Sequence, residues 1–345
     1  MSLVKLLKKK NKKLLFTTPS HSQKFTIYKP LKSLYRIDIS ETDAHDPESA
    51  LQKAEERARK IYGTVGTHFL TNGSTSGIIA SVLSCVKSGD QVLIWKDAHP
   101  CHINAVRLAG AIPVFYDLEI DKDWGIPLET DCEMIEQYFK AYDIKCLIVT
   151  SPTYEGIVSN IYKLKKICER YNAYLIVDEA HGALYPFSNR LPESAVKIAD
   201  FTVQSLHKTA GGLNPTALLH TTTPLNVKKA LSMINTTSPS YPLLASIEET
   251  INFLNGFWGK LKLNQLIDEL EDLREECYTC EFFGDDVTKI LVKTDGITGN
   301  ELSDILFNTY NIEDEKTNEK STMLLCGMGT DKKKIRKLKN ALLSL

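Results

Sequence analysis

Lys208 stands at the end of Ser205-Leu206-His207-Lys208, with a hydroxyl three residues before its amine and an imidazole beside it. A lysine amine adds to a carbonyl carbon only after it has lost its proton, and an aldehyde partner must be held close by. Earlier in the chain comes Asp178-Glu179-Ala180-His181-Gly182, directly after the apolar Tyr174-Leu175-Ile176-Val177. A carboxylate delivered by a buried strand is costly unless a positive or hydrogen-bonding group meets it. Facing an aromatic ring nitrogen, Asp178 would keep that nitrogen protonated and strengthen its pull on electrons. An amine for an aldehyde and an acid for a ring nitrogen together describe a pyridoxal-phosphate site. Taken alone, Ser-x-His-Lys reads as no more than a polar surface loop.

A phosphate needs donors of its own. Thr67-His68-Phe69-Leu70-Thr71 reads as a strand and runs into Asn72-Gly73-Ser74-Thr75-Ser76-Gly77, after which Ile78 to Leu83 turns helical. Strand, hydroxyl-rich turn and helix bring free backbone N–H groups and a positive helix end to an anion, with Ser74, Thr75 and Ser76 adding donors. The turn lacks the lysine of a Gly-x-x-x-x-Gly-Lys loop, which argues against nucleotide triphosphate hydrolysis. By itself it is equally a helix cap. A histidine on the loop after strand Gln91 to Trp95 could lie flat on an aromatic cofactor. His102 is the candidate and His99 its local rival.

The elements that must position these groups are strands. Gln91 to Trp95, Ile112 to Tyr116, Ile144 to Val149 and Tyr174 to Val177 are continuously apolar and alternate with helical segments. That pattern predicts a parallel sheet covered on both faces, with ligands at the carboxyl ends of its strands. Ser74 to Ser76, His102, Thr153, Asp178 and Lys208 should therefore converge. Thr153 enters through Ser151-Pro152-Thr153-Tyr154-Glu155-Gly156, a turn-rich loop after one of these strands.

Composition bounds the rest. With 345 residues, 43% of them hydrophobic, the chain holds a sizeable core and divides into an arm (1–45), a large domain (46–250) and a small C-terminal α+β domain (251–345). In the last of these, Leu261 to Glu276 is an amphipathic helix, Lys289 to Lys293 and Thr322 to Cys326 are strands, and Lys332 to Leu343 is a further helix. A net charge of -1 gives no reason to expect a nucleic-acid partner, since duplex binding needs a concentrated basic face. The lysines from Lys5 to Lys13 interleave with leucines, as in an amphipathic first helix. No apolar run approaches a membrane span and no export signal is visible, so a cytoplasmic protein is expected. Its eight cysteines are scattered, as suits reduced buried thiols. Cys277-Tyr278-Thr279-Cys280 has no second pair for zinc, and no metal is expected.

Seven stretches, in order, resemble the Orn/Lys/Arg decarboxylases of the fold-type I, aspartate-aminotransferase-like pyridoxal-phosphate enzymes. They are Thr17-Thr18-Pro19-Ser20-His21, Thr71 to Gly77, the loop ending at His102, Ser151 to Gly156, Asp178 to Gly182, Ser205 to Lys208, and Thr236-Thr237-Ser238-Pro239-Ser240-Tyr241-Pro242. The resemblance covers roughly residues 15 to 250. It implies an α/β fold with a mostly parallel seven-stranded sheet and a small C-terminal α+β domain. It also implies that Lys208 binds pyridoxal 5'-phosphate covalently and that Asp178 pairs with the pyridine nitrogen. Ala180 would touch one ring face, His102 would stack on the other, and His181 would belong to the same wall. Thr75, Ser76, Ser205 and His207 would hold the phosphate. Thr237 and Ser238 would reach a neighbouring subunit's cofactor, which implies a homodimer or higher homo-oligomer with shared sites. The chain departs from the family at His102-Ile103-Asn104, where His-Lys-Ser is usual, and at Ser20, where glycine is usual.

The implied reaction is α-decarboxylation of lysine, arginine or ornithine, in polyamine-type metabolism. Such a site binds the distal cation while holding the departing carboxylate weakly, because a tight grip would stabilise the ground state. Aminotransferases of this fold grip that carboxylate with a C-terminal arginine. Here only Arg274 and Arg336 are available, both in charged helical surroundings. Glu155 and Glu313 are unranked candidates for the distal cation. Transamination or aldol cleavage on the same scaffold, and a shortened non-catalytic member, are the competing readings.

Overall fold

The structure, a computed structural model, describes residues 2–10, 19, 32–39 and 47–345. Apart from Pro19, the motif from Thr17 to His21 lies outside the described residues. The chain runs through α1 (Leu3–Lys10), α2 (Lys32–Tyr35), α3 (Pro47–Tyr62), β1 (Gly66–Leu70), α4 (Gly73–Cys85), β2 (Gln91–Trp95), α5 (Cys101–Leu108) and β3 (Ile112–Tyr116). A hairpin of β4 (Ile120–Asp121) and β5 (Ile126–Pro127) leads through α6 (Cys132–Ala141) to β6 (Ile144–Thr150), α7 (Ile161–Arg170), β7 (Tyr174–Asp178) and β8 (Phe201–Ser205). Next come β9 (Ala217–Thr221), α8 (Val227–Ile234), α9 (Tyr241–Asn255) and α10 (Phe257–Glu276). The last elements are β10 (Glu281–Phe283), β11 (Lys289–Lys293), α11 (Gly299–Tyr310), β12 (Lys316–Thr317), β13 (Thr322–Leu325) and α12 (Lys332–Leu343).

The main sheet has seven strands in the order β1-β9-β8-β7-β6-β2-β3. Strands β8, β7, β6, β2 and β3 pair in parallel, whereas β9 pairs antiparallel with both β8 and β1. Within this sheet only β9 is therefore reversed. The carboxyl ends of β1, β2, β6, β7 and β8 share one rim. Continuous apolar strands such as Ile144–Thr150 form where both faces are covered, because alternation would leave polar side chains in a core. Helices α4, α5 and α8 pack over one face, around Ile78, Val82, Val106 and Val203, and α6 and α7 over the other, around Ile135, Leu164 and Leu147.

Helix α4 sits unusually close to the sheet. A Cβ on Gly77 would lie 2.8 Å from both Leu70 Cδ1 and Val203 Cγ1, so glycine is what lets the helix approach β1 and β8. Its first turn is thereby held against the rim. The first helix is amphipathic as expected: Leu3, Leu6 and Leu7 are buried, and the backbone N–H of Leu3 donates to Glu248 Oε2 at 2.7 Å.

A second sheet, β10-β11-β13-β12, is antiparallel and lies with α11 and α12 in the C-terminal part. All eight cysteines are free. Cys277 and Cys280 donate from Sγ to the carbonyls of Lys339 and Leu342, which accounts for both as helix-packing thiols. Among the described residues, no helix is long and apolar enough to cross a membrane.

Candidate active site

Strand β7 ends in Asp178, which is 6% exposed. Its Oδ2 accepts from His102 Nε2 at 2.9 Å and its Oδ1 accepts from the backbone N–H of Ala180 at 3.1 Å. Burial works against the carboxylate, but the hydrogen bond and charge of His102, the ammonium of Lys208 and the Ala180 N–H outweigh it and hold its pKa below the usual range. It is an ionised acid in a dry place.

His102 belongs to the first turn of α5 instead of the loop expected for it. Pro100, with φ near the helical value, starts the turn, and the N–H of His102 donates to the His99 carbonyl at 3.0 Å. Geometry distinguishes the two histidines: His102 is 1% exposed and bonded to Asp178, whereas His99 is exposed and accepts at Nδ1 from the N–H of Cys101. Cys101, His102 and Asp178 have ligand-type atoms within 4.8 Å of one another. Burial pushes the Cys101 thiol well above its ordinary pKa, which keeps it a neutral thiol beside Asp178.

Lys208 follows β8 in a tight turn. Its Nζ lies 2.9 Å from Nε2 of His181 and 5.4 Å from the centre of the Tyr154 ring. Burial is the main reason its pKa is lowered, with a contribution from the Lys289 ammonium, while Asp178, Glu315 and Cys101 oppose the shift. His181 is held well below the usual histidine pKa, first by burial and then by the cations of Lys208 and Lys289. A neutral imidazole therefore faces the amine. The Tyr154 ring completes this wall, 4.5 Å from His181 centre to centre, with Lys316 Nζ on it at 5.2 Å.

The groups expected to hold an anion lie at the same rim, after β1 and β8. Ser74, Thr75 and Ser76 form the first turn of α4, where no side chain caps the backbone N–H groups. Ser76 Oγ donates to the Gly73 carbonyl at 2.8 Å, so its hydroxyl serves the turn. Ser205 ends β8 with a buried Oγ that has no partner among the described residues, and the same holds for Nδ1 of His102 and of His181. His207 is fixed by a contact of 3.0 Å between Nδ1 and the Thr216 carbonyl. Thr153 is 1% exposed, and its Oγ1 accepts from the N–H of Ile157 at 3.3 Å, shaping the loop that presents Tyr154. Thr237 and Ser238 lie exposed ahead of α9, and no described contact joins either to Lys208 or Asp178 within the chain.

Three groups in or against the site escaped the sequence reading of roles: Tyr154, Glu315 and Lys289. Tyr154 lay inside a quoted motif and could have been found there. Lys289 opens a segment read only as a strand, with no role attached to its amine. Of the two carboxylates named for a distal cation, Glu155 is buried and its Oε1 accepts from Lys316 Nζ at 2.6 Å, while Glu313 is exposed. Arg274 is committed elsewhere: it donates to the carbonyls of Gly284, Asp286 and Lys289 at 2.7, 3.2 and 2.9 Å. Arg336 is exposed on α12.

Next to Asp178, Glu179 is buried and accepts from the N–H of Ala195 at 2.7 Å, Ser194 Oγ at 2.7 Å and Gln204 Nε2 at 2.6 Å. Burial nevertheless pushes its pKa up to about 7 from an ordinary 4.5. A raised folded pKa means that its stabilising contribution is complete below about pH 4.5 and is lost as pH rises through 7. In urea unfolding, the stability of wild type relative to Glu179→Gln is expected to fall by on the order of 3 kcal/mol from pH 4.5 to pH 8. A difference that stays flat with pH would refute the shift.

The same arrangement of sheet and rim occurs in solved enzymes. A crystal structure of the Francisella novicida lysine decarboxylase superimposes with a TM-score of 0.86 over 99% of this chain and 59% of that one, at 19% identity. The ureidoglycine-glyoxylate aminotransferase of Bacillus subtilis superimposes at 0.70 over 92% of this chain and 89% of that one, at 14% identity. The fold is that of the fold-type I pyridoxal-phosphate enzymes. Within that class, the profile of the Orn/Lys/Arg decarboxylase major domain matches residues 5–291, and the chain belongs to this family. An arginine decarboxylase of Halalkalibacterium halodurans is 31% identical over 324 residues, covering 88% of this chain and 66% of the relative. The chain spans 57% to 67% of the length of the first curated relatives that it matches.

Proposed function

We propose that the protein is a pyridoxal-phosphate-dependent decarboxylase that removes the α-carboxylate of a basic amino acid. One arrangement carries this reading: Asp178, ionised by its bond to His102, at the end of β7, and Lys208, with a lowered pKa, after β8. The residues fit the cofactor. The unpartnered Ser205 hydroxyl and the uncapped first turn of α4 suit a phosphate, and a buried carboxylate suits a protonated ring nitrogen. When bound, the cofactor supplies an electron sink for the bond broken at the substrate's Cα.

The chain's own groups do the rest. Lys208 offers an amine that loses its proton more readily than an ordinary lysine, and neutral His181, 2.9 Å from Nζ, is placed to hold that amine by a hydrogen bond. With the cofactor bound, Asp178 would hold the proton on its ring nitrogen, His102 keeps Asp178 ionised and would cover the ring, and Ala180 would touch it from the other side. Ser74, Thr75, Ser76, Ser205 and His207 would hold the phosphate, and Thr153 sets the Tyr154 loop. Thr237 and Ser238, exposed within one chain, are assigned to the site of a second copy, which makes a homodimer the competent unit.

Glu315 is proposed for the substrate's distal cation: it is exposed, next to Lys316, whose Nζ lies 5.2 Å from the centre of the Tyr154 ring, and its charge acts on both Lys208 and Tyr154. Arg274, spent on three carbonyls, is not free to grip a carboxylate, which favours decarboxylation over transamination. Arginine, lysine and ornithine are to be supplied in turn to protein loaded with pyridoxal phosphate. Carbon dioxide and the matching amine, in equal amounts, are expected from one of the three. Keto acid or aldehyde without carbon dioxide would refute the proposal.

A further inference from the structure

Lys289, the first residue of β11, has a side chain that is 0% exposed. A buried ammonium is costly unless a counter-ion and acceptors for all three protons surround it. Here they do: Nζ lies 2.9 Å from Asp286 Oδ2, 3.0 Å from Thr288 Oγ1 and 3.2 Å from the carbonyl oxygen of His181. Asp286 also accepts from the Tyr185 hydroxyl at 2.6 Å and, at Oδ1, from the N–H and Oγ1 of Thr288 at 2.9 and 2.6 Å. Behind the pair, Arg274 fixes the turn through its three carbonyl bonds.

The pair braces both loops of the candidate site. A Cβ on Gly156 would lie 2.8 Å from Lys289 Cγ and 3.1 Å from Asp286 Cβ, so the backbone just past Tyr154 rests directly on it. A Cβ on Gly182 would lie 2.9 Å from the Tyr185 ring, whose hydroxyl holds Asp286. His181, whose carbonyl Lys289 grips, is in contact with Lys208 on one side and with the Tyr154 ring on the other. Stability alone is a weak reason for such a pair, because well-packed apolar residues serve a core as well or better.

We propose that Lys289, with Asp286 as its counter-ion, is a positioning residue that fixes the backbone of His181 and thereby the contact between His181 and Lys208. Its role in turnover rests on the decarboxylase reading; its role in geometry does not. Besides His181, the titratable groups whose charges act on Lys208 are Asp178, Glu315, Cys101 and Lys289 itself. Removing Lys289 takes away a positive charge that lowers the Lys208 pKa.

The double variant Asp286→Asn/Lys289→Met, made in the full chain, removes both charges at once and leaves neither buried alone. Stability is read by urea unfolding. The Lys208 amine is titrated by ¹³C NMR of reductively methylated apoprotein, its signal identified by loss in Lys208→Ala. The expected result is a cooperative fold in which Lys208 titrates higher than in wild type and kcat falls about 10- to 100-fold with KM changed less than about threefold. Lys208 titrating as in wild type would overturn the proposal, even if kcat fell along with stability. Tyr185→Phe, which loosens Asp286 but keeps both charges, is titrated beside it: Lys208 shifted in both variants supports positioning, whereas Lys208 shifted in the double variant alone reports only the lost Lys289 charge and overturns the proposal. Should the double variant not fold, Tyr185→Phe decides by itself. Lys208 shifted in both variants of a chain that decarboxylates nothing refutes the functional proposal and upholds this one.

Discussion

Lys208→Ala is expected to leave a folded protein that no longer takes on the yellow absorbance of lysine-bound pyridoxal phosphate, with decarboxylation reduced on the order of 10⁴-fold or more. The size follows from the residue's place. Lys208 supplies the amine of the site, His181 faces it at 2.9 Å, and a methyl group neither captures an aldehyde nor exchanges a proton. Half-buried in a turn, the truncated side chain leaves the main sheet intact, so the unfolding midpoint should move little. Absorbance titration with the cofactor and urea unfolding of the same sample separate the two effects. An alanine variant that colours and turns over like wild type would remove the chemical basis of the functional reading.

Asp178→Asn should behave differently. The amide is nearly isosteric but carries no charge, so it is unable to stabilise a proton on the ring nitrogen. Colour on cofactor addition should persist because Lys208 is untouched, while kcat/KM falls about 10²- to 10³-fold, the usual cost of losing one preorganised electrostatic partner. Stability should also lose a pH dependence. Asp178 has a lowered folded pKa, so its contribution is present above the ordinary carboxylate value of 3.8 and is lost as pH falls through the lower folded value. The wild type should therefore weaken in acid relative to the variant. Equal turnover in the two proteins would show that Asp178 is a structural acid only.

The sheet and the rim were legible in the sequence because continuous apolar strands impose a parallel sheet, and a parallel sheet aligns its carboxyl ends. That is why Asp178 and Lys208 could be brought together from their positions after Tyr174–Val177 and within Ser205–Lys208. Other features depend on packing that leaves no local trace. His102 was expected on a loop, and Pro100 begins the helix just before it. The reversed strand β9, short and apolar, carries no mark of direction. Lys289 reads locally as the start of a strand. Its burial arises from contacts with His181, 108 positions away along the chain, that no window of neighbouring residues reveals. Glu315 lies in a charged stretch, Glu313 to Lys316, where nothing local ranks one carboxylate above another.

The engagement of Arg274 sets a limit on how this scaffold could be redirected. Its guanidinium is the clasp of the turn from Gly284 to Lys289, so turning it toward a substrate would undo the bracing beneath His181 and Gly156. A designer seeking amino-group exchange from this protein would have to bring in a fresh cation at another position, leaving the original arginine to its masonry.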